Sequence, residues 1–218
     1  YKQYAEKFEY FNKIVGVFTD EPSLMEVYQN TPDTFKYSQL ATVDGFEDKF
    51  EQMHGYSVAD KYHLIFTGDS DEAKIVRVNY RETVAEILSK TYFGALREFC
   101  EANGSKSSGH CLLEESMNYH AHYYGNLMQC LREMSIPGVD GLAMKTENYL
   151  SEGWPIFMAV KYASSVATLT DRDRLVMMET CATDLPSAMA YNDEQYKQFR
   201  TTLNNIFFDG ATPVSYTH

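Results

Sequence analysis

The feature that most constrains the fold is a pattern that occurs twice: a short apolar run that ends directly in acidic residues. Residues 14–22 read IVGVFTDEP, so this run ends in Asp20, Glu21 and a proline. Residues 175–180 read LVMMET, and this run ends around Glu179. Short apolar runs bounded by polar residues are typical of buried strands in parallel sheets. The pattern therefore predicts an α/β fold that carries acids at strand ends.

Predicted helices and strands alternate along the chain. Apolar residues at helical spacing predict helices over residues 1–12, 79–103, 119–134, 154–168 and 193–207. Apolar runs predict strands over residues 14–19, 107–113, 136–144, 175–180 and 214–217. Such alternation gives a parallel sheet covered by helices. Neither a P-loop nor a Gly-x-Gly-x-x-Gly segment follows a strand, so a nucleotide-binding fold is not supported.

Five strands of this kind make about five-eighths of a TIM barrel, which needs roughly 250 residues when complete. We therefore predict the C-terminal portion, about strands 4–8, of a (β/α)8 barrel. Residues 30–79 show no sustained period and are expected to form an irregular insertion or long loop after the first strand. We treat residues 1–218 as one partial catalytic-type domain, and expect the remainder of a larger multidomain chain upstream and downstream, since no initiator Met is present.

The charge and the cysteines narrow the classes of function. A net charge of −12 argues against nucleic acid as a partner, because phosphates need a basic surface. No run approaches the roughly 18 apolar residues of a membrane span. Cys100, Cys111, Cys130 and Cys181 form no Cys-x-x-Cys pair and are expected to be buried free thiols. A single disulfide is the alternative, so the compartment is not fixed.

Every predicted strand ends in groups that can carry chemistry. In a barrel the active site lies at the C-terminal ends of the strands. In chain order these ends carry Asp20-Glu21, Glu114-Glu115, Asp140, Glu179 and His218. Glycoside hydrolysis needs one protonated carboxyl group to expel the leaving oxygen and one ionised carboxylate to attack the sugar or activate water. Clustered carboxyls supply both, because like charges raise one pKa and leave the other low.

The strongest candidates each have a structural alternative. Glu21 can be a charge that balances a helix dipole, and Glu179 can be a solvated acid on the rim. Asp20 can orient Glu21 or face the helix layer. Strand alternation lets only one of Glu114 and Glu115 point into the barrel, and we favour Glu114.

The remaining candidates are binding residues. Asp140 can bind substrate or hold the turn in PGVDG, and His110 can hydrogen-bond a sugar hydroxyl or be a satisfied core histidine. His218 ends the last strand and can line the pocket. His120 and His122 lie on different faces of a helix and no His-Glu-x-x-His motif occurs, so we predict no metal site.

The order of motifs resembles a known family. These motifs are FTDEP, a distant GY, YxxxLxxFCExNG, SGH, IPGVD, MET and a final strand that ends in His. They lie at Phe18–Pro22, Gly55-Tyr56, Tyr92–Gly104, Ser108–His110, Ile136–Asp140, Met178–Thr180 and Pro213–His218. Together they resemble the catalytic barrel of the α-L-rhamnosidases of glycoside hydrolase family 106 and of related bacterial glycoside hydrolases.

This resemblance implies a (β/α)8 catalytic domain flanked by β-sandwich modules in the whole protein. It also implies carboxylate catalysis on terminal or branch sugars, with no required cofactor but with calcium in some members. Glu21 matches the strand 4 position, and Glu114 or Glu115 matches the strand 5 position. Family 106 enzymes invert, with carboxyls roughly 6.5–9.5 Å apart, whereas a Glu21–Glu179 pair resembles the retaining clan at roughly 5–5.5 Å.

The leading hypothesis is therefore a glycoside hydrolase of α-L-rhamnosidase type that acts on plant or host glycans. Glu21 would be its general acid, with Glu179 or Glu114 as partner, and carbohydrate would be its ligand. The remaining strand-end residues would bind substrate: Asp20, His110, Glu115, Asp140 and His218. A periplasmic or secreted location is expected for the full-length protein. The alternatives are a non-catalytic carbohydrate-binding barrel fragment and another carboxylate- or metal-dependent barrel enzyme.

Overall fold

A five-stranded parallel sheet organises the part of the chain that the computed structural model describes, which is residues 2–7, 13–24, 39–141, 156–170, 175–180 and 193–215. The strands are β1 (Gly16–Thr19), β2 (Lys106–Gly109), β3 (Ile136–Gly141), β4 (Met177–Thr180) and β5 (Thr212–Ser215). Each strand pairs in parallel with the next one along the chain. Parallel strands in sequential order also form the wall of a (β/α)8 barrel. The predicted α/β class is therefore confirmed, and the sheet is consistent with part of such a barrel. The numbering as strands 4–8 stays a prediction.

Helices connect and cover the strands. They are α1 (Lys2–Lys7), α2 (Phe46–His54), α3 (Tyr62–Phe66), α4 (Asp71–Leu88), α5 (Ala95–Ala102), α6 (Met117–Tyr124), α7 (Leu127–Arg132), α8 (Ile156–Leu169) and α9 (Asp193–Phe208). A 3₁₀ turn spans Ala59–Lys61, and a π-helical segment, Ser89–Gly94, joins α4 to α5. None of the described helices is both long enough and apolar enough to cross a membrane.

The helix expected to begin at Asn79 begins eight residues earlier, at Asp71. Ser70 is its N-cap, and the Ser70 hydroxyl accepts a hydrogen bond from the amide of Ala73 at 3.2 Å. A capped first turn with Asp71 and Glu72 suits the positive end of the helix dipole. Asn79 therefore lies inside α4, and the predicted start of this helix at residue 79 is wrong.

The predicted helix over residues 119–134 is divided into α6 and α7 at Gly125. Gly125 has φ +69° and lies against α4, where an added Cβ would come within 2.3 Å of the Arg81 carbonyl oxygen. Only glycine allows this close approach of two backbones.

The region predicted to be an irregular insertion is largely helical where it is described. Residues 39–79 contain α2, the 3₁₀ turn, α3 and the start of α4. Five of their buried side chains form one cluster with Tyr80 and Val84 of α4: Phe46, Phe50, Val58, Ile65 and Val76. Because α2 and α3 are only 9 and 5 residues long, they are too short to show a sustained helical period.

The sheet packs its outer side against the helices. Val139, Val176 and Met178 form a cluster with Ala159, Val160, Ala163 and Ala167 of α8 and with Ile206 of α9. Val17 of β1 packs with Cys100 of α5. Cys100, Cys111 and Cys130 are buried free thiols as predicted, and Cys181 lies outside the described residues.

Strand β2 ends at Gly109, four residues before the predicted end at Leu113. Gly109 has φ +143°, and a Cβ on it would lie 2.0 Å from the Thr19 carbonyl oxygen. The chain leaves the strand here, so His110 occupies the strand end, and Glu114 and Glu115 lie in the loop beyond it.

We expect Gly109→Ala to lower the free energy of unfolding by about 2–4 kcal/mol, because alanine would clash with Thr19 in a strained backbone conformation. Urea denaturation of the intact protein measures this change. Gly16→Ala in β1 is the matched control, because its Cβ would meet only the Lys106 carbonyl oxygen at 3.4 Å. Equal stability of the two variants would contradict this account of the β1–β2 contact.

Candidate active site

The C-terminal ends of four described strands bring acidic side chains to one edge of the sheet. Asp20 and Glu21 follow β1, and the loop after β2 holds His110, Glu114 and Glu115. Asp140 and Glu179 lie near the ends of β3 and β4, where their Cα atoms are register partners. His218, also predicted at this edge, lies outside the described residues.

His110 is the centre of this arrangement. It is 2% exposed, and its Nε2 atom lies 2.8 Å from Glu179 Oε2 and 3.3 Å from Asp20 Oδ1. Its Nδ1 atom lies 3.3 Å from the Cys111 carbonyl oxygen. The ring of Phe18 meets the imidazole edge-on, with centroids 5.5 Å apart. His110 thus links the ends of β1, β2 and β4.

Glu114 holds the loop after β2 to the neighbouring strand. Its Oε1 atom accepts hydrogen bonds from the amides of Cys111, at 2.8 Å, and Asp140, at 3.3 Å. Its carbonyl oxygen pairs with His120 Nε2 at 2.7 Å. The side chain is 1% exposed, and burial, with charge repulsion from Asp140, raises the pKa of Glu114 well above its ordinary value. Both amides belong to the backbone, so the Glu114 side chain holds two chain segments together.

Glu21 is held in a conformation that few residues other than glycine adopt. Its φ is +44°, in the left-handed region, where strain is common at functional sites. Glu21 is half-buried, and burial raises its pKa. His110 acts in the opposite direction, whereas the charges of Asp20 and Glu179 raise this pKa further.

Glu115 and Asp140 each direct an unsatisfied oxygen into buried space. Glu115 Oε1 and Asp140 Oδ1 have no hydrogen-bond partner among the described residues. Burial raises the pKa of Glu115, and Glu21 raises it further. Burial raises the pKa of Asp140 to about 7, with His110 lowering it and Glu179 raising it. Buried polar atoms without partners are uncommon in native proteins, and a ligand hydroxyl would satisfy them.

Glu21, His110 and Asp140 form a three-residue group in which one ligand atom of each lies within 4.8 Å of the others. The three residues were predicted as site residues but not as a metal-binding group, because they come from three distant segments of the chain and show no local ligand spacing. Calcium, which the family resemblance implies, takes six to eight oxygen ligands, whereas this group offers two carboxylates and one imidazole nitrogen. The group therefore does not fit calcium.

The structure brings together all the predicted site residues that it describes. They are Asp20, Glu21, His110, Glu114, Glu115, Asp140 and Glu179. The central position of His110 was not predicted, although the glycine before it is a signal for a strand end. The contact between Thr19 and Tyr92 was also not predicted, since Tyr92 enters the sequence analysis only as the first residue of the motif Tyr92–Gly104.

Comparison with known proteins supports a glycoside hydrolase-like fold. No family profile matches the chain. A Formosa agariphila protein named "Putative beta-glucuronidase" is 22% identical over 142 residues, which cover 63% of this chain and 11% of that protein. The structure of a rhamnosidase from Novosphingobium sp. PP1Y matches 85% of this chain and 17% of its own, with a TM-score of 0.64 at 20% identity. The chain thus spans less than a fifth of either protein.

The pKa of Asp140 makes stability depend on pH. The folded protein keeps a proton on Asp140 up to about pH 7, whereas the unfolded chain releases it near 3.8. The contribution of Asp140 to wild-type stability should therefore fall as pH rises through this window, because the folded state binds the extra proton. We expect Asp140→Asn to remove that loss, so that its melting temperature relative to wild type increases between about pH 4 and 7.

Thermal unfolding across this pH range checks the expectation. Asp69→Asn is the control, because Asp69 is exposed and lies outside the cluster. A difference between Asp140→Asn and wild type that stays constant with pH would contradict the raised pKa.

Proposed function

We propose that the chain is part of the catalytic domain of a glycoside hydrolase that cleaves an O-glycosidic bond with paired carboxyl groups. The observation that carries the proposal is the carboxyl cluster at the C-terminal ends of parallel strands, where the pKa of Glu21 is raised beside other acids. This edge is where barrel enzymes place their chemistry. The similarity to a rhamnosidase fold agrees with this proposal.

Glu21 is the proposed general acid. Its raised pKa favours a proton that can pass to the leaving oxygen of the glycosidic bond, and its partial exposure leaves it accessible to substrate. The positive φ of Glu21 turns the chain directly after β1, at the edge where substrate would bind.

Glu179 is the proposed partner, as attacking carboxylate or as base for water. Its side chain is 14% exposed, and contact with His110 Nε2 at 2.8 Å orients one of its oxygens. Glu114 is less suitable, because it is fully buried and accepts two backbone amides. Glu115, Asp140 and Asp20 are the proposed partners of sugar hydroxyls, and Asp20 is the exposed member of this set.

A neutral sugar of the α-L-rhamnoside type is the proposed substrate. Within the described residues, the charges that act most strongly on Glu21 and Asp140 are other carboxyls and His110, and no lysine or arginine is among them. A uronate carboxylate entering this cluster would meet like charges at close range. The site therefore suits a neutral glycoside. Calcium binding elsewhere in the whole protein stays a prediction from the family resemblance.

A second candidate is a metal-dependent barrel hydrolase. The group of Glu21, His110 and Asp140 favours it, since two carboxylates and an imidazole can bind a divalent transition metal. The two candidates differ in their response to a chelator: carboxylate catalysis continues after metal removal, and metal-dependent hydrolysis stops until the metal is restored.

Glu21→Gln should lower kcat by several orders of magnitude, because glutamine cannot donate the proton to the leaving group. Hydrolysis of an aryl α-L-rhamnoside and of a natural-type disaccharide by the intact protein, each with and without EDTA, measures this. Glu51→Gln, an exposed change in α2, is the control and should remain fully active. Near-wild-type turnover by Glu21→Gln would overturn the role of Glu21.

A panel of aryl glycosides tests the substrate class. We expect kcat/KM for the neutral α-L-rhamnoside to exceed that for the β-glucuronide by at least about a hundredfold, because close like charges cost several kcal/mol. The panel should be measured at neutral pH, where the uronate is ionised. Preferred cleavage of the glucuronide would show that a cation outside the described residues completes the site.

A further inference from the structure

A tyrosine in the helix layer holds the strand end that carries Glu21. The Tyr92 hydroxyl lies 2.8 Å from Thr19 Oγ1. Thr19 is the last residue of β1 and is 5% exposed. Side chains alternate between the two faces of a strand. Phe18 contacts His110 on the face of the sheet away from the helices, so Thr19 faces the helices. Tyr92 therefore contacts β1 from behind, two residues before Glu21.

The backbone at Tyr92 is π-helical. The amide of Ala95, which directly follows the segment Ser89–Gly94, bonds the carbonyl of Lys90, five residues earlier. Such segments are rare and often occur at functional sites. Phe93, the next residue, is buried in the same hydrophobic cluster as Cys111 and Leu112, which begin the loop after β2. Consecutive side chains of this segment thus support the two chain segments that carry Glu21 and His110.

Thr19 also connects to the rest of the site through its backbone. Its carbonyl oxygen accepts the amide of His110 at 3.3 Å, beside the close approach of Gly109. Rotation of the Thr19 peptide would therefore disturb His110 as well as Glu21. The φ of +44° at Glu21 costs energy and persists only where neighbouring contacts hold it. The hydrogen bond between Thr19 and Tyr92 is one such contact.

We propose that Tyr92 is a positioning residue, whose hydroxyl fixes Thr19 and so keeps the Glu21 carboxyl aligned for proton transfer. The kinetic part of this inference rests on the proposed role of Glu21 as general acid. Tyr92 itself lies behind the sheet and does not contact the substrate.

A double-mutant cycle in the intact protein tests the inference. Tyr92→Phe and Thr19→Val each remove one partner of the hydrogen bond and keep the shape of the side chain. Each should lower kcat about three- to tenfold, the range that one neutral hydrogen bond supports, with KM unchanged. The double variant should lose no more than the larger single effect, because both changes remove the same interaction.

Hydrogen exchange provides a readout that needs no activity. In Tyr92→Phe, amides of residues 19–24 should exchange about tenfold faster, while the melting temperature stays close to that of wild type. Tyr56→Phe is the matched control, because the Tyr56 hydroxyl bonds Asn79 Nδ2 at 3.0 Å in the region before β2. It should change neither kcat nor exchange at residues 19–24.

The two proposals fail in different ways. If amides exchange faster in Tyr92→Phe but the wild-type protein hydrolyses no glycoside, the proposed function is refuted and the positioning contact is retained. Wild-type hydrolysis with unchanged kcat in Tyr92→Phe, or additive losses in the double variant, would refute the role of Tyr92. A rise in KM with constant kcat would also overturn it, since that result indicates substrate binding rather than alignment.

Discussion

The buried carboxyl of Glu114 is the interaction on which the site depends. It accepts the amide of Cys111 from its own loop and the amide of Asp140 from the neighbouring strand. A carboxyl group buried this deeply is costly unless it is hydrogen-bonded or protonated, and the raised pKa of Glu114 reflects that cost. Through these two bonds the loop that begins with His110 is fixed against β3. The geometry of the site thus depends on a residue that is itself closed to solvent.

The site concentrates negative charge around one imidazole. Glu179 and Asp20 lie within hydrogen-bonding range of His110 Nε2, while Glu115 and Asp140 keep oxygens without partners among the described residues. This arrangement raises carboxyl pKa values, and it lowers stability as pH rises towards neutrality. Buried acceptors without partners are uncommon in folded proteins, which agrees with a functional role for this cluster.

The helices that cover the sheet also contact the ends of β1 and β2, where the site lies. The π-helical segment places Tyr92 against Thr19 and buries Phe93 in the cluster beneath the loop after β2. Positive φ values at Gly109 and Glu21 turn the chain where β2 and β1 end. Strained residues of this kind persist only when surrounding contacts determine their conformation. The surrounding contacts here come from two layers of the fold.

The sequence by itself determined the α/β class, the parallel strands and the acids at their ends. These features depend on local runs of apolar residues followed by polar ones, and a single segment carries each signal. It could not determine that β2 ends at Gly109, since the reason is a close approach to Thr19 on another strand. The short helices α2 and α3 were missed because each is too short for its period to be recognised.

Only the tertiary structure decided which contacts each acidic residue makes. Glu114 and Glu115 are adjacent in sequence, yet Glu114 binds backbone amides and Glu115 keeps an oxygen without a partner among the described residues. His110 became the centre of the site because three strand ends meet around it, and Tyr92 reached Thr19 across 73 positions of sequence. Burial and charge at these positions depend on neighbours that are distant in the chain, and no local pattern encodes them.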